Sequence, residues 1–267
     1  MTVGVVVKRN KPEAEALAGR LEQTLHGLGA VTSRAPDARV DLVVVLGGDG
    51  TFLHAAHVYG EQDVPLVGIN LGGMGMLAAF SPDEMDDAVA RALAGVLPVE
   101  RRMRLLVTLL DAGKTSSYVA VNDAVVSQGA IARLLDLETL LDGVRVALYK
   151  ADGLIVATPT GSTAYTLAAG GPVLTPDLRA MLLTPICPHA LTHRTVVFPA
   201  DSVLQIREVG DSDHVFLTID GQRGEHVSRD AQVEIRAHQR PLLCLRNPAR
   251  PFFETLRSKL NWGVRET

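Results

Sequence analysis

The sequence predicts two domains of different class, an α/β domain with a parallel sheet followed by a β-rich domain. Short apolar runs alternate with helical patterns over the first third of the chain, as parallel strands joined by crossover helices require. Beyond Pro98 the pattern changes to runs rich in Val, Leu and Thr, separated by turn residues. We expect the α/β domain over 1–97, the β-rich domain over 98–251, and a C-terminal helix over 252–267 that packs back on the first domain.

The first domain is predicted from its periodicity. Apolar runs indicate strands over 3–7, 41–46 and 65–69, and helical spacing indicates helices over 12–28 and from Phe52 onward. A further helix begins after Ser81, because Ser81 is a good N-cap and Pro82 suits the first helical position. Gly95 is placed to end that helix.

The second domain is predicted to be mostly antiparallel. Apolar runs indicate strands over 105–110, 118–121, 145–149, 154–158, 203–207 and 215–219. Turn signals lie between such runs at Asp111-Ala112-Gly113, Asp142-Gly143 and Asp220-Gly221.

The composition is that of an ordinary globular protein. With 47% hydrophobic residues, 21% charged residues and a net charge of −4, the chain has no general attraction for nucleic acid or an anionic membrane. Its N-terminus lacks the features of a signal peptide, and no span reaches transmembrane length. Cys187 and Cys244 have no metal-ligand spacing, so we expect reduced thiols, no structural metal site and a cytoplasmic location.

The clearest motif is the apolar run LVVVL followed by GGDGT at 47–51. A buried parallel strand brings such a turn to the carboxyl edge of the sheet, where open α/β folds bind ligands. Gly47, Gly48 and Gly50 let the backbone approach a phosphate closely, and the free N–H groups at the start of the next helix favour an anion. Neither standard nucleotide fingerprint competes with this loop: the first strand is followed by Lys8-Arg9-Asn10 rather than GxGxxG, and Gly113-Lys114-Thr115 lacks a P-loop because Thr108 stands where its first glycine should be.

Asp49 is the unusual member of this loop. A carboxylate repels a phosphate unless it coordinates a metal or accepts a proton, so a general-base role is one interpretation. The alternative is that Asp49 merely caps the following helix.

A second motif is DGLIVATPTGSTAY at 152–165. An apolar strand ends in a loop that is dense with hydroxyl groups, and a short helix begins near Thr163. Such a loop suits the polar edge of a base and a ribose, and Tyr165 offers a flat face. A solvated turn with helix caps is the alternative.

Asn122-Asp123 interrupts an otherwise apolar stretch and is a third candidate. The pair is either a bulge with a turn cap or a set of hydrogen-bonding groups for a nucleotide. A carboxylate that accepts hydrogen bonds from vicinal hydroxyls is a common way to hold ribose, which Asp123 or Asp152 could do.

Taken in this order, GGDGT, Asn-Asp and DGLIVATPTGSTAY resemble the NAD kinase family. The resemblance continues through AAGGP at 168–172, PICPH at 185–189, IDGQ at 219–222 and LRSKLNW at 256–262, and so covers almost the whole chain. GGDGT alone also resembles the loops of diacylglycerol kinases, sphingosine kinases and phosphofructokinases, whereas TPTGSTAY after Asp152-Gly153 is more specific. The resemblance implies an α/β domain, a β-rich domain, an active site between them, and a homodimer or homotetramer.

The resemblance also implies a role for individual residues. Asp49 matches the proton acceptor, and Asn122 and Asp123 match the pair that holds the substrate nucleotide. Asp152 matches a ribose-binding carboxylate. The other matching nucleotide positions are Gly50, His54, Arg133, Lys150, Thr163, Ala164, Tyr165, Thr166, Leu167, Ala168 and Gln222.

Several of these matches are less direct. His54 and Arg133 match basic positions of the family, yet a surface residue would look the same. Lys150 stands where the family often has Arg, so the charge is kept and the planar fork is lost. Ala168 replaces a common serine, and methionines occupy 74 and 76 where leucine and phenylalanine are more frequent.

The implied reaction is transfer of the terminal phosphoryl group of ATP or polyphosphate to the 2'-hydroxyl of the adenosine ribose of NAD. Gly47, Gly48 and Thr51 are expected to donate hydrogen bonds to the phosphates, with Mg²⁺ bridging them. Two alternatives are a lipid kinase with the same loop and a non-catalytic NAD(P)(H) sensor. The negative net charge and the hydroxyl-rich loop oppose the first, and the presence of Asp49 opposes the second.

Overall fold

The computed structural model describes residues 1–73, 75–129, 134–212 and 214–262. The chain divides into two compact units, Met1–Arg101 with Leu242–Thr267, and Arg102–Pro241. The first unit therefore includes 98–101 and 242–251, which the apolar pattern alone assigns to the β-rich domain. In the described part of the chain, every helix is too short or too polar to cross a bilayer.

The regular elements follow one another in this order: β1 (Thr2–Val7), α1 (Pro12–Gly27), β2 (Val31–Ser33), β3 (Leu42–Leu46), α2 (Asp49–Tyr59), β4 (Leu66–Ile69), α3 (Met85–Leu93), β5 (Val99–Arg102), β6 (Leu105–Asp111), β7 (Lys114–Ala120), β8 (Asp123–Gln128), β9 (Leu135–Leu141), β10 (Val144–Ala151), β11 (Gly153–Ala157), α4 (Tyr165–Ala168), β12 (Ala180–Ile186), β13 (Val196–Pro199), β14 (Leu204–Glu208), β15 (Val215–Ile219), β16 (Arg223–Val227), β17 (Gln232–Ala237), β18 (Leu242–Leu245) and α5 (Phe252–Leu260). Short 3-10 turns span Gly60–Gln62, Pro82–Glu84 and Gly161–Thr163.

The first unit is built on a six-stranded sheet in the order β2-β1-β3-β4-β18-β5. Neighbours from β2 to β18 pair in parallel, which confirms the predicted parallel sheet. All five residues of β3 are buried, as expected for a central parallel strand covered on both faces. Helices α1 and α3 cover one face through buried residues such as Leu21, Leu25, Met85 and Val89.

The helix signal at Ser81 is confirmed with one refinement. Ser81 and Glu84 form a capping box, in which the Glu84 carboxylate accepts hydrogen bonds from the Ser81 N–H at 2.7 Å and from its hydroxyl at 2.9 Å. The first turn is a 3-10 turn that continues into α3. Gly95 follows the helix with a left-handed φ of 69°, a conformation that favours glycine.

The second unit contains two antiparallel six-stranded sheets, ordered β10-β9-β14-β17-β6-β7 and β13-β12-β11-β8-β15-β16. Their facing sides share one apolar core, to which Val107, Leu137, Val126, Val156 and Leu217 contribute. The prediction of a mostly antiparallel β-rich region is confirmed. At each predicted turn, positive φ angles accompany a tight connection between strands; the residues are Ala112, Gly113, Asp142, Gly143, Asp220 and Gly221.

The position of β8 between β11 and β15 decides where three loops meet. Asp123 at the start of β8 pairs with Ala157 at the end of β11, and Ala124 pairs with Ile219 at the end of β15. Because both neighbours run antiparallel to β8, the loop after β11 and the turn after β15 lie at the same edge as Asn122.

Candidate functional site

In the first unit, the GGDGT loop connects β3 directly to α2. The helix begins at Asp49, three residues before the predicted start at Phe52, because Asp49, Gly50 and Thr51 already have helical geometry. Gly48 is the N-cap residue, and the Thr51 N–H donates to its carbonyl at 3.0 Å. A Cβ atom on Gly47 would overlap the Thr51 side chain, so this turn requires a glycine.

The Asp49 carboxylate faces a neighbouring loop and the C-terminal helix. Oδ1 accepts hydrogen bonds from the N–H groups of Leu77 at 3.0 Å and Ala78 at 3.3 Å, and Oδ2 accepts one from Met76 at 3.0 Å. The ammonium group of Lys259 lies 3.2 Å from Oδ2. These partners belong to other segments, so the side chain is not a simple cap of its own helix.

Asp49 is ionised in this environment. Burial alone would raise its pKa, but the positive charge of Lys259 and the N–H groups of Leu77, Met76 and Ala78 outweigh burial, and the pKa is lowered from its ordinary value. The side chain keeps 26% of its surface exposed, so an acceptor group could still reach it.

Two residues that the sequence analysis did not single out shape the loop facing Asp49. A Cβ atom on Gly75 would overlap Asp49 Oδ1, so only glycine allows this close approach. Asn70 follows β4; its Nδ2 donates to the Gly73 carbonyl at 2.7 Å, and its Oδ1 accepts from the Gly72 N–H at 3.0 Å. The glycine-rich stretch after β4 indicated a tight loop in the sequence. That this loop packs against Asp49 could not be predicted from the sequence.

A cavity of about 470 Å³ opens beside the first turn of α2. Its lining includes Lys8, Arg9, Gly50, Thr51 and His54. Partial burial, followed by the charges of Arg9 and His57, lowers the pKa of His54. Basic side chains beside a helix N-terminus suit an anionic ligand.

In the second unit, four of the sequence-predicted nucleotide residues meet at the common edge of β8, β11 and β15. Asn122, Asp123, Ala164 and Tyr165 line a cavity of about 380 Å³ together with Asp220. The loop after β11 packs closely on Asn122: the Thr158 N–H donates to the Asn122 carbonyl at 2.9 Å, and a Cβ atom on Gly161 would overlap that carbonyl.

Asp220 organises this edge, although the sequence indicated only a turn and a family motif there. Its Oδ1 accepts hydrogen bonds from the N–H groups of Asn122 at 2.7 Å and Asp123 at 3.0 Å, and Oδ2 accepts one from Val121 at 2.9 Å. The carboxylate thereby fixes the backbone at the point where β8 begins.

Asp123 has a strongly altered acidity. Burial and then the nearby charge of Asp220 raise the pKa of Asp123 to about 7. Its side chain lines the cavity, so near neutral pH it can present either a carboxyl donor or a carboxylate acceptor to a ligand.

The residues from Thr163 to Ala168 differ in accessibility. Tyr165 is 46% exposed and offers the expected flat face, and Ala168 is exposed at the end of α4. Thr163, Ala164 and Leu167 are half-buried. Thr166 is fully buried, so its hydroxyl is enclosed in the protein.

Asp152 and Lys150 do not line this cavity, although its lining extends along β8 to Ser127, which pairs with Gly153 beside Asp152. Asp152 precedes β11, whereas Thr158 and the hydroxyl-rich loop follow it, which separates the two ends by roughly 20 Å. Asp152 accepts a hydrogen bond from Gln128 at 3.1 Å, and Lys150 forms an ion pair with Asp136 at 3.6 Å. Gln222 is exposed in the turn between β15 and β16, and Arg133 lies outside the described residues.

Comparisons with known proteins agree with these motifs. The family model of the ATP-NAD kinase N-terminal domain matches residues 28–97, and that of the ATP-NAD kinase C-terminal domain matches residues 121–246. Together these matches include GGDGT, Asn122-Asp123, the TPTGSTAY loop and Asp220-Gly221.

Curated relatives match over the full length. The chain is 42% identical to an NAD kinase of Solibacter usitatus, covering 99% of this chain and 98% of that one. It is 40% identical to an NAD kinase of Koribacter versatilis, covering 99% of both chains.

Solved structures have the same fold. A yeast NADH kinase complexed with NADH superimposes with a TM-score of 0.91 at 23% identity, over 100% of this chain and 89% of that one. An NAD kinase from Archaeoglobus fulgidus in complex with ATP superimposes with a TM-score of 0.83 at 27% identity, over 97% and 99%. On the two family models and the full-length relatives, the chain belongs to the NAD kinase family.

Proposed function

We propose that this chain phosphorylates NAD to NADP with ATP as the donor. The 2'-oxygen of the adenosine ribose bonds to the terminal phosphorus of ATP while the bond from that phosphorus to the β,γ-bridging oxygen breaks. ADP leaves with the electron pair, and the proton of the hydroxyl passes to Asp49.

The observation that carries the proposal is the state of Asp49. Its carboxylate is ionised, partly exposed and held at the start of α2 by three backbone N–H groups and Lys259. Hydrogen-bond donors around both oxygens, one of them cationic, keep the carboxylate ionised, which is the form that can accept a proton. A weak base is sufficient, because the transition state of phosphoryl transfer is loose and needs mainly positioning and charge stabilisation.

The donor phosphates are assigned to the first turn of α2. The Gly48 N–H and the Thr51 hydroxyl are the proposed donors there, whereas the N–H groups of Gly47 and Thr51, expected from the sequence to bind phosphate, already donate to the carbonyls of Ile69 at 2.9 Å and Gly48 at 3.0 Å. Gly50 and His54 line the adjoining cavity. We propose Mg²⁺ as the divalent cation; bound with ATP beside the first turn of α2, it would neutralise charge on the donor phosphates. Among the described residues, no group of three or more His, Cys, Asp or Glu side chains is placed to hold a metal ion.

The acceptor nucleotide is assigned to the second unit. Asn122 and Asp123 offer polar groups to it, and Tyr165 offers a face for stacking, within one cavity. On the family resemblance, the remaining proposed contacts are Arg133, Lys150, Asp152, Thr163, Ala164, Thr166, Leu167, Ala168 and Gln222.

The proposal extends to the setting of the enzyme. We place it in the cytoplasm as a homodimer or homotetramer that binds neither nucleic acid nor membrane. The net charge of −4 and the unbridged thiols of Cys187 and Cys244 support the location and the lack of nucleic-acid or membrane binding. The oligomeric state rests on the family resemblance.

The test is an assay of the purified chain with NAD and Mg²⁺-ATP, with NADP identified by chromatography. We expect Asp49→Asn to lower kcat by at least about 100-fold while the dissociation constant for NAD stays within about twofold, because the amide loses the base and the second unit is unchanged. The matched control is Asp87→Asn, which removes an exposed carboxylate of α3 and leaves turnover unchanged. Wild-type turnover in Asp49→Asn would remove Asp49 from this role.

Parallel reactions separate the alternatives. Polyphosphate in place of ATP, and NADH in place of NAD, measure donor and acceptor preference. Phosphorylation of diacylglycerol instead of NAD would indicate a lipid kinase, and nucleotide binding without any transfer would indicate a sensor.

A further inference from the structure

Lys259 reaches the proposed base from the last turn of α5. Its Nζ lies 3.2 Å from Asp49 Oδ2, and the two residues are 210 positions apart in the chain. The side chains of Lys259 and Asp49 keep 36% and 26% of their surfaces exposed, so the ion pair is partly open to solvent. An isolated surface ion pair of this kind contributes little to the free energy of unfolding. Its expected effect is therefore on the acid–base chemistry of the Asp49 carboxylate.

The geometry of α5 fixes the direction of Lys259. Leu256, one turn before Lys259, is 1% exposed and anchors the same face of the helix. Asn261 ends the helix in a left-handed conformation with φ 53°, and the Trp262 N–H donates to the Arg257 carbonyl at 3.1 Å. The last turn of α5, which carries Lys259, is therefore fixed by a buried residue before it and by the helix C-cap after it.

We propose that Lys259 is a positioning residue for the phosphoryl transfer, whose ammonium keeps the Asp49 carboxylate ionised and directed toward the acceptor hydroxyl. The inference rests on the proposed function, because it takes Asp49 as the proton acceptor. Without the ammonium, only the three backbone N–H groups would oppose burial, so the pKa of Asp49 would rise and less of it would be ionised at low pH. A protonated carboxyl cannot accept the proton of the hydroxyl.

In the first unit, Lys259 supplies the positive charge that lies against the Asp49 carboxylate. The loop over 75–78 presents backbone N–H groups, and α5 presents Lys259. On α2 the nearest titratable side chain in sequence is His54, whose own pKa responds to burial, Arg9 and His57. Among the described residues, Lys259 is the charged side chain in contact with the carboxylate.

The experiment compares Lys259→Met, which removes the charge and keeps most of the stem, with Lys259→Arg, which restores the charge. The control is Arg257→Met, which removes an exposed positive charge from the same helix. For each protein, kcat is measured from pH 5 to pH 9 at saturating NAD and Mg²⁺-ATP. Carboxyl ¹³C NMR then follows the titration of Asp49 in the nucleotide-free protein, with the signal assigned by its loss in Asp49→Asn.

We expect Lys259→Met to lose at least about threefold more of its kcat between pH 8 and pH 5 than the wild type, because a raised pKa leaves less carboxylate at low pH. The Asp49 signal should titrate at higher pH in the same variant, and the KM for NAD should stay within about twofold. Lys259→Arg and Arg257→Met should resemble the wild type. If Lys259→Met does not fold, Lys259→Gln replaces it.

Two results would overturn the inference. One is an unshifted pH profile in Lys259→Met with only a lower melting temperature, which would make Lys259 a structural contact of α5. The other is a shifted NMR titration with an unshifted profile, which would leave Lys259 outside catalysis. Failure of the proposed function is distinguishable, since the wild type would then form no NADP while the NMR comparison still reports the effect of Lys259 on Asp49.

Discussion

Asp220 Oδ1 accepts a hydrogen bond from the backbone N–H of Asn122 at 2.7 Å, joining the end of β15 to the start of β8. The same carboxylate also accepts hydrogen bonds from the N–H groups of Val121 and Asp123. A side chain that looks like a hairpin turn residue in the sequence thus holds the backbone of the proposed nucleotide site.

Replacement of Asp220 by Asn should weaken the second unit. One carboxylate oxygen becomes an NH₂ group that cannot accept from the facing backbone N–H, so a buried donor loses its partner. We expect the free energy of unfolding to fall by about 1–3 kcal/mol and the KM for NAD to rise, as measured by urea denaturation and steady-state kinetics. The control is Asp230→Asn, at an exposed site of the same unit. Equal stability of the two variants would show that Asp220 is dispensable.

Stability should depend on pH through Asp123. The native pKa of about 7 lies above the ordinary value of 3.8, so between these values the native state binds a proton that the unfolded state has lost. Stability from this group is therefore complete below about pH 4 and falls as the pH rises through 7. In Asp123→Asn the loss of stability between pH 5 and pH 8 should be smaller than in the wild type by on the order of 2 kcal/mol. Urea denaturation at several pH values tests this expectation, and parallel curves would contradict it.

Much of the architecture follows from local pattern. LVVVL at 42–46 is apolar throughout and forms the central parallel strand, and Asp142-Gly143 forms the hairpin turn that its residue types require. Several strands were not predicted. One is β18 (Leu242–Leu245), whose place in the first sheet depends on pairing with β4, far away in the chain. Pairing between distant segments leaves no local periodicity.

The same division applies to the candidate site. GGDGT and Asn122-Asp123 were recognisable because glycine density and polar interruptions are local signals. The contacts of Asp49 with Lys259 and with the loop over 75–78 were not predictable, since they join segments far apart in sequence. The strand between Asp152 and the hydroxyl-rich loop was predicted from its apolar run and is β11.

Gly161→Ala should disturb the nucleotide loop. The added Cβ would overlap the backbone carbonyl of Asn122, which cannot move without shifting the start of β8. We expect a loss of about 1–3 kcal/mol in the free energy of unfolding and a higher KM for NAD. Gly224→Ala is the control, because a Cβ there meets no atom within 4 Å, and its stability should change by less than about 0.5 kcal/mol. Similar values for both variants would show that the loop can adjust.

Gly75→Ala should impair turnover more than binding. The methyl group would overlap Asp49 Oδ1 and approach Asn70 Nδ2 to 3.0 Å, so the carboxylate or its loop must move. Because a displacement of about 1 Å in a reacting group costs on the order of 100-fold in rate, we expect kcat to fall by about that factor. The dissociation constant for NAD should stay within about twofold, since the second unit is unchanged.

Gly73→Ala is the matched comparison for this loop. A Cβ on Gly73 meets no atom within 4 Å, so the substitution adds the same methyl group without crowding Asp49. Turnover in Gly73→Ala should therefore remain near that of the wild type, with kcat and melting temperature measured for both proteins. If the two variants lost kcat equally, loop flexibility rather than the position of Asp49 would be the cause. A selective loss in Gly75→Ala would tie catalysis to the placement of this carboxylate.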